Sequence, residues 1–184
     1  MLEYLFYKGK GPLSPVEIAM DTPEEAITEL RQAAANDPRN GELRYLLGVA
    51  LAEHRRYQEA VLELSAAVAL NPLLHTARLQ LGLLHLTLAQ THHASAVLAP
   101  LENLEDNAAL KHFKRGLEAL AVDDFSTALA SLERGMQLNT ENPPLNGDMK
   151  LIVERITAAM EANPSAEQPS TVHSDFSLYG LTRH

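Results

Sequence analysis

The sequence contains no cysteine and no tryptophan, and aromatic residues make up only 5% of its 184 positions. Without thiols there is no disulfide, no thiolate metal site and no catalytic cysteine, a pattern that fits a reducing compartment. Scarce aromatics leave a core of small and medium side chains: 46% of residues are apolar, alanine and leucine foremost, and such a composition favours helices. Basic residues are also few, 15 against 24 acidic ones for a formal net charge of -9, and no cluster of lysine and arginine reverses that balance locally. Such a surface repels phosphate backbones, so nucleic acid is not an expected partner. No apolar run reaches the roughly 18 residues that a membrane-spanning helix needs. Met1 to Tyr7 is apolar but has no basic stretch before it and gives way to Lys8-Gly9-Lys10-Gly11-Pro12. A secretory signal is therefore not expected, and the expected location is the cytoplasm.

Catalytic signatures are lacking too. There is no glycine-rich phosphate loop, no HExxH and no nucleophile elbow; Gly9-Lys10-Gly11 is too short and has no flanking strand. The chain has 8 histidines, but no two stand at the i, i+4 spacing that puts two ligands on one helix face. His85 occupies a packing position between paired helices, and His92-His93 lies at a helix start where adjacent side chains diverge. The acidic pairs Glu24-Glu25 and Asp123-Asp124 also fall at helix starts, where they complement the helix dipole. No enzyme, cofactor or metal is expected; a histidine-dependent metal site or enzyme is the remote alternative.

What the sequence does have is a rhythm. Gly48, Gly82 and Gly116 recur with a 34-residue period. The same offset relates Ala26, Ala60, Ala94 and Ala128, then Leu30, Leu64, Leu98 and Leu132, and finally Leu70, Leu104 and Leu138. A period of this length signals a solenoid made of one repeated supersecondary unit. Within each unit two apolar stretches of about 14 residues, separated by short polar connections, read as antiparallel helices. The periodic glycines then mark where a first helix closely approaches its second, with Ala60, Ala94 and Ala128 at the same contact. Asp37-Pro38 and Asn71-Pro72 close second helices, since proline lacks the amide a continuing helix needs.

Leu47-Gly48, Leu51, Tyr57, Ala60, Leu64, Ala67 and Pro72 together resemble a nearly complete tetratricopeptide repeat (TPR). Residues 75 to 108 repeat the pattern with Leu81-Gly82, Ala94 and Leu98, and residues 109 to 142 with Gly116, Phe125, Ala128 and Leu132. The resemblance implies an all-α fold, a right-handed TPR superhelix of antiparallel helix pairs (an α-solenoid). The reading places an irregular segment at 1–20 and a TPR domain at 21–162, divided into a half repeat 21–38 and full repeats 41–74, 75–108 and 109–142. In the half repeat Thr22, Pro23 and Glu25 read as cap, first-turn proline and capping glutamate. A capping helix at 145–162, with Met149, Ile152, Val153, Ile156 and Met160 at helical spacing, covers the last apolar face. Residues 163–184 read as a flexible tail ending in the apolar run Phe176 to Leu181.

The sequence departs from the family pattern in four respects. Arg44, Arg78 and His112 replace an aromatic near the start of each first helix, and Gly135 stands where alanine is usual. Pro100, inside the second helix of the middle repeat, cannot donate to Ala96, so that helix should kink or end early. Gly9, Gly11, Pro12 and Pro15 break any first helix of the leading unit.

In the family the first helices line a concave face. By register the residues projecting there are Tyr45, Val49 and Ala52, then Leu79, Leu83 and Leu86, then Phe113, Leu117 and Leu120. Each set, spaced i, i+4, i+7, forms a stripe separate from Leu47, Leu51, Leu81 and Leu84, which face the second helices. An apolar peptide-binding groove lined by Tyr45, Val49, Leu79, Leu83, Leu86, Phe113, Leu117 and Leu120 follows. Burying its six large side chains from Leu79 to Leu120 yields on the order of 10 kcal/mol, against an association cost of about 4–15 kcal/mol. The expected function is non-catalytic: an adaptor or chaperone-like scaffold whose partner is a protein with an apolar segment or amphipathic helix. The basic clamp that other members use for C-terminal carboxylates is not matched, since Tyr45, Val49, Gln80, Leu110 and Lys114 stand there and only the last is basic. The competing reading has these leucines packing between repeats or under the chain's own termini. In its sharpest version residues 2–7 or 176–181 fill the groove of their own chain or of a second copy, giving an autoinhibited or self-associating protein.

Overall fold

The structure is a computed structural model that describes residues 23–162. Among the described residues eight α-helices follow one another: α1 (Pro23–Asn36), α2 (Gly41–Glu53), α3 (Tyr57–Leu70), α4 (His75–Thr87), α5 (Thr91–Leu98), α6 (Ala109–Leu120), α7 (Phe125–Leu138) and α8 (Pro143–Ala162). No strand occurs among the described residues, and the fold is all-α. Two compact units divide the chain, Met1–Ala77 and Arg78–His184. The segments 2–7 and 176–181, and Thr22, lie outside the described residues.

Helix starts follow their side chains. Asn40 caps α2, its Oδ1 accepting from the amides of Glu42 and Leu43 at 3.1 Å each. Asp124 caps α7, accepting from the Thr127 amide at 3.1 Å, and that bonding, Thr127 first, holds its carboxyl below the ordinary aspartate range. Glu24 and Glu25 sit in the first turn of α1, which begins at Pro23.

The first helix of every full repeat ends alike. Arg56 donates to Leu51 O, Gln90 to His85 O and Asp124 to Ala119 O, at 2.9, 2.8 and 3.0 Å. The residue before each donor, Arg55, Ala89 or Asp123, has a positive φ of 59°, 57° or 58°. This is the Schellman ending, which glycine usually supplies; here it recurs at the repeat period without one.

Glycine acts instead at the helix–helix contact. A Cβ added to Gly48 would stand 2.7 Å from Leu64 Cγ, one on Gly82 2.5 Å from Leu98 Cγ, and one on Gly116 2.7 Å from Leu132 Cγ. The repeating unit is thus a glycine on the first helix receiving a leucine on the second, and Leu64, Leu98 and Leu132 are all buried. Ala60, Ala94 and Ala128 flank the contact and are buried as well.

Pro100 acts where the sequence reading placed it: α5 stops at Leu98, and the chain continues as a 3-10 turn over Ala99–Asn103. Losing one amide and crowding the preceding carbonyl, proline converts the last turn of what is elsewhere a 14-residue second helix.

Candidate binding site

In the first unit, Tyr45 and Val49 on α2 are half-buried, and Ala52, one helical turn on, is buried. The second unit treats the equivalent positions differently. Leu79 and Leu83 on α4 and Phe113, Leu117 and Leu120 on α6 are buried, none more than 7% exposed, and Leu86 packs partly buried against them.

These side chains share one apolar cluster with Leu145, Met149, Ile152 and Ile156 of α8. Those four lie at i, i+4, i+7 and i+11, a single stripe along a helix of 20 residues, and Val153 and Met160 pack partly buried beside it. A direct bond fixes the placement: Gln80 Nε2 on α4 donates to Asp148 Oδ2 on α8 at 2.9 Å. Gln80 adjoins Leu79 and Asp148 adjoins Met149, so the bond sets α8 beside α4 at the level of the predicted stripe. Burial pushes the Asp148 carboxyl above the ordinary aspartate range, and the hydrogen bond from Gln80 only partly opposes it.

Phe113 has a second role. A Cβ on Gly135 of α7 would fall 2.4 Å from Phe113 Cδ1 and Cε1. The missing methyl at 135, a departure from the family pattern, seats the Phe113 ring inside its own hairpin, and Phe113 joins the cluster from there.

Three asparagines hold the start of α8. Asn139 Nδ2 donates to Asn142 O at 2.7 Å and to Asn146 Oδ1 at 2.8 Å. Asn146 Nδ2 returns to Asn139 O at 3.0 Å, and Asn142 Oδ1 accepts from the Leu145 amide at 3.3 Å. The turn between α7 and α8 is thereby tied from both sides.

The polar groups nearby are paired. Lys114 is buried, its Nζ 2.8 Å from both Glu102 Oε2 and Glu118 Oε2. Arg115 also bonds Glu102 at 2.8 Å, and hydrogen bonds from Arg115 and then Lys114 hold the Glu102 carboxyl down at about 2. The one basic residue at the clamp positions is therefore engaged within its own unit, and Gln80 is engaged by Asp148. His85, buried on α4, makes a 2.7 Å hydrogen bond through Nδ1 with Gln90 Oε1 and stacks on His93 at 5.4 Å. No group of three or more potential metal ligands occurs among the described residues, and none of the described helices is long and apolar enough to cross a membrane.

Sequence reasoning gave the stripes on the first helices and the stripe of α8 separately, and did not bring those of the second unit together in one cluster. The signal that links them is the pairing of Gln80 with Asp148, each a polar residue inside an apolar stripe. A single such pair among many polar residues carries no directional information until the two helices are seen side by side.

Residues 16–75 match the family model described as tetratricopeptide repeat. No curated protein matches the chain. Among solved structures, MamA 41-end from Desulfovibrio magneticus RS-1 is similar with a TM-score of 0.53 and 21% identity, over 79% of this chain and 80% of that one. The MamA RS-1 ArsTM double mutant gives 0.52 and 22%, over 78% and 79%. At such identity the likeness is one of fold. The 34-residue register, the glycine–leucine contact that recurs in all three hairpins, the match to the tetratricopeptide repeat model over residues 16–75 and the shared fold make this chain similar to tetratricopeptide repeat proteins.

Proposed function

We propose that the chain is a non-catalytic scaffold, an adaptor or chaperone-like protein of the cytoplasm, that holds an apolar segment or amphipathic helix of another protein against the inward side of its first helices. One observation carries the reading: in the second unit that side, through Leu79, Leu83, Leu117 and Leu120, already buries an amphipathic helix, α8. A surface that accepts one such helix has the shape and apolar character to accept another of the same register. In the first unit Tyr45 and Val49 present a smaller, half-buried surface at the same register.

The same observation supports a second reading, in which the inward face is filled by the chain itself and serves structure alone. The two are separated by selecting displayed helical peptides against the full chain and measuring the binders on wild type, Val49→Glu and Leu86→Glu. Both positions are half-buried, so these variants are expected to remain helical by circular dichroism. Each substitution removes an apolar contact worth about 1.5–3 kcal/mol and is expected to weaken binding at least about tenfold. Binders that hold both variants as tightly as wild type would remove the inward face as the binding surface.

A further inference from the structure

Two asparagine–glycine pairs stand in the sequence, Asn40-Gly41 and Asn146-Gly147. Glycine puts no Cβ beside its amide nitrogen and leaves the backbone free to turn, so that nitrogen can reach the carboxamide carbon of the preceding asparagine. The structure gives the two pairs different settings. Asn40 uses its side chain chiefly as an acceptor: its Oδ1 caps α2 through the amides of Glu42 and Leu43, and its Nδ2 makes one exposed bond, to Asp37 Oδ2 at 3.1 Å. Gly41 is required by packing, since an added Cβ would stand 3.2 Å from Ala67 O. Asn146 uses its side chain chiefly as a donor. Its Nδ2 gives hydrogen bonds to Asn139 O at 3.0 Å and Met136 O at 3.3 Å, while its Oδ1 accepts from Asn139 Nδ2 at 2.8 Å. Gly147 has no packing role, because an added Cβ there meets nothing within 4 Å, and glycine within a helix weakens it relative to alanine.

We propose that Asn146-Gly147 is a site of covalent self-modification, restrained by the asparagine turn, and that its conversion unties the start of α8 from the end of α7. The Gly147 nitrogen attacks Asn146 Cγ; the N–Cγ bond forms, the Cγ–Nδ2 bond breaks, and ammonia leaves carrying the amide proton. Water then opens the cyclic imide at either carbonyl, giving aspartate or the isomer whose chain runs through the side chain, and nothing is oxidised or reduced. In the folded chain the attack is blocked twice. α8 runs from Pro143, so the Gly147 amide points back along the helix, and the three bonds of Asn146 hold its carboxamide toward α7. Reaction therefore waits on fraying of the first turn, a local opening that leaves the rest of the helix in place. The consequence follows from which atoms can donate. A carboxylate has no proton to give, so at position 146 it sets acceptors against the carbonyls of Asn139 and Met136, and the turn cannot close as before. At position 40 a carboxylate still caps α2, since aspartate and asparagine cap about equally well.

The test incubates the full chain near neutral pH, folded and in urea, and follows both pairs by peptide mapping with mass spectrometry, which reads the exchange of amide for acid. In urea both pairs should convert. In the folded chain Asn146 should convert at least about tenfold more slowly than in urea, because opening precedes attack. Asn139→Ala removes the side chain that ties Asn146 Oδ1 and should raise the folded-state rate about tenfold, with helix content by circular dichroism retained. If that variant fails to fold, Asn142→Ala, which removes the acceptor of the Leu145 amide, should raise the rate severalfold. Gly147→Ala should slow conversion in urea as well, since its effect lies at the attacking nitrogen. Asn146→Asp, which carries the charge of the product, should lower the melting temperature by about 3 °C or more, and Asn40→Asp should leave it within about 1 °C. The proposal is overturned by no conversion of Asn146 in urea, by equal rates in urea and in the folded chain, or by an unchanged rate in the folded turn variants. Equal melting of Asn146→Asp and wild type, or equal losses for the two aspartate variants, overturns it too.

Discussion

The first and second units are built on the same hairpin and differ in what equivalent positions on their first helices meet. At equivalent positions the first unit has Tyr45, Val49 and Ala52, of which the first two are half-buried. The second has Leu79, Leu83 and Leu86 followed by Phe113, Leu117 and Leu120, nearly all buried in one cluster with α8. The repeat register decides which positions are equivalent; the size of the residues there, and the helix that follows the last repeat, decide whether they become a core. Substitutions on the inward stripe should therefore have unequal effects in the two units. Leu117→Ala removes a fully buried side chain touching α8's cluster and is expected to cost about 2–5 kcal/mol of stability. Val49→Ala, at half burial, should cost about 1 kcal/mol or less. Urea unfolding followed by circular dichroism measures both; losses of equal size would mean that the two inward faces are not physically distinct.

The hairpins and their length were legible because their cause is local and periodic. Gly48, Gly82 and Gly116 recur because Leu64, Leu98 and Leu132 need the space of a missing methyl, and a requirement repeated three times in register is visible in a single sequence. The effect of Pro100 was legible for the same reason, since proline acts within one turn of itself. The turns between first and second helices were not, because a left-handed residue announces itself as glycine or asparagine, and here Arg55, Ala89 and Asp123 adopt that conformation. The candidate face was half legible. Periodicity gave the stripe on α4 and α6 and the stripe on α8, but their union depends on the turn at Asn139 and Asn142 that leads into α8 and on the pairing of Asp148 with Gln80. That is a matter of tertiary geometry rather than spacing. Gly135 was read only as an irregularity until Phe113 was seen to fill it.

The half-buried carboxyl of Asp148 sharpens the comparison further, because it lies in the second unit's α8 contact. Its pKa is raised in the folded chain, so between the ordinary aspartate value of 3.8 and that raised value the folded state binds more protons than the unfolded state. Stability from this group is therefore full below the ordinary value, falls as pH rises through the window, and stays lowered at neutral pH. Asp148→Asn removes the charge, and the Gln80 amide can turn to keep a hydrogen bond with the new side chain. The variant should unfold at a higher temperature than wild type at pH 7, with the gap closing as pH approaches about 4. A gap that is constant with pH would show that the carboxyl is already neutral or already solvated in its seat.

The smallest effect expected is at the turns, which the two units share, and it should have one sign in both. Ala89 holds φ at 57°, a conformation that costs a residue with a Cβ roughly 1–2 kcal/mol. Glycine there removes that strain but loses about 0.5–1 kcal/mol through the greater freedom of its unfolded chain. Ala89→Gly should therefore stabilise by about 0.5–1 kcal/mol, and Arg55→Gly in the first unit by a similar amount. Asp123→Gly should gain least, because aspartate tolerates the left-handed region better than alanine does. Chemical denaturation of the three single variants ranks them. The order matters more than the size: a loss at Ala89 alone would mean that its methyl contributes packing in the α4–α5 turn that the other two turns do not share, and the hairpins would then differ at their tips as well as on their inward face.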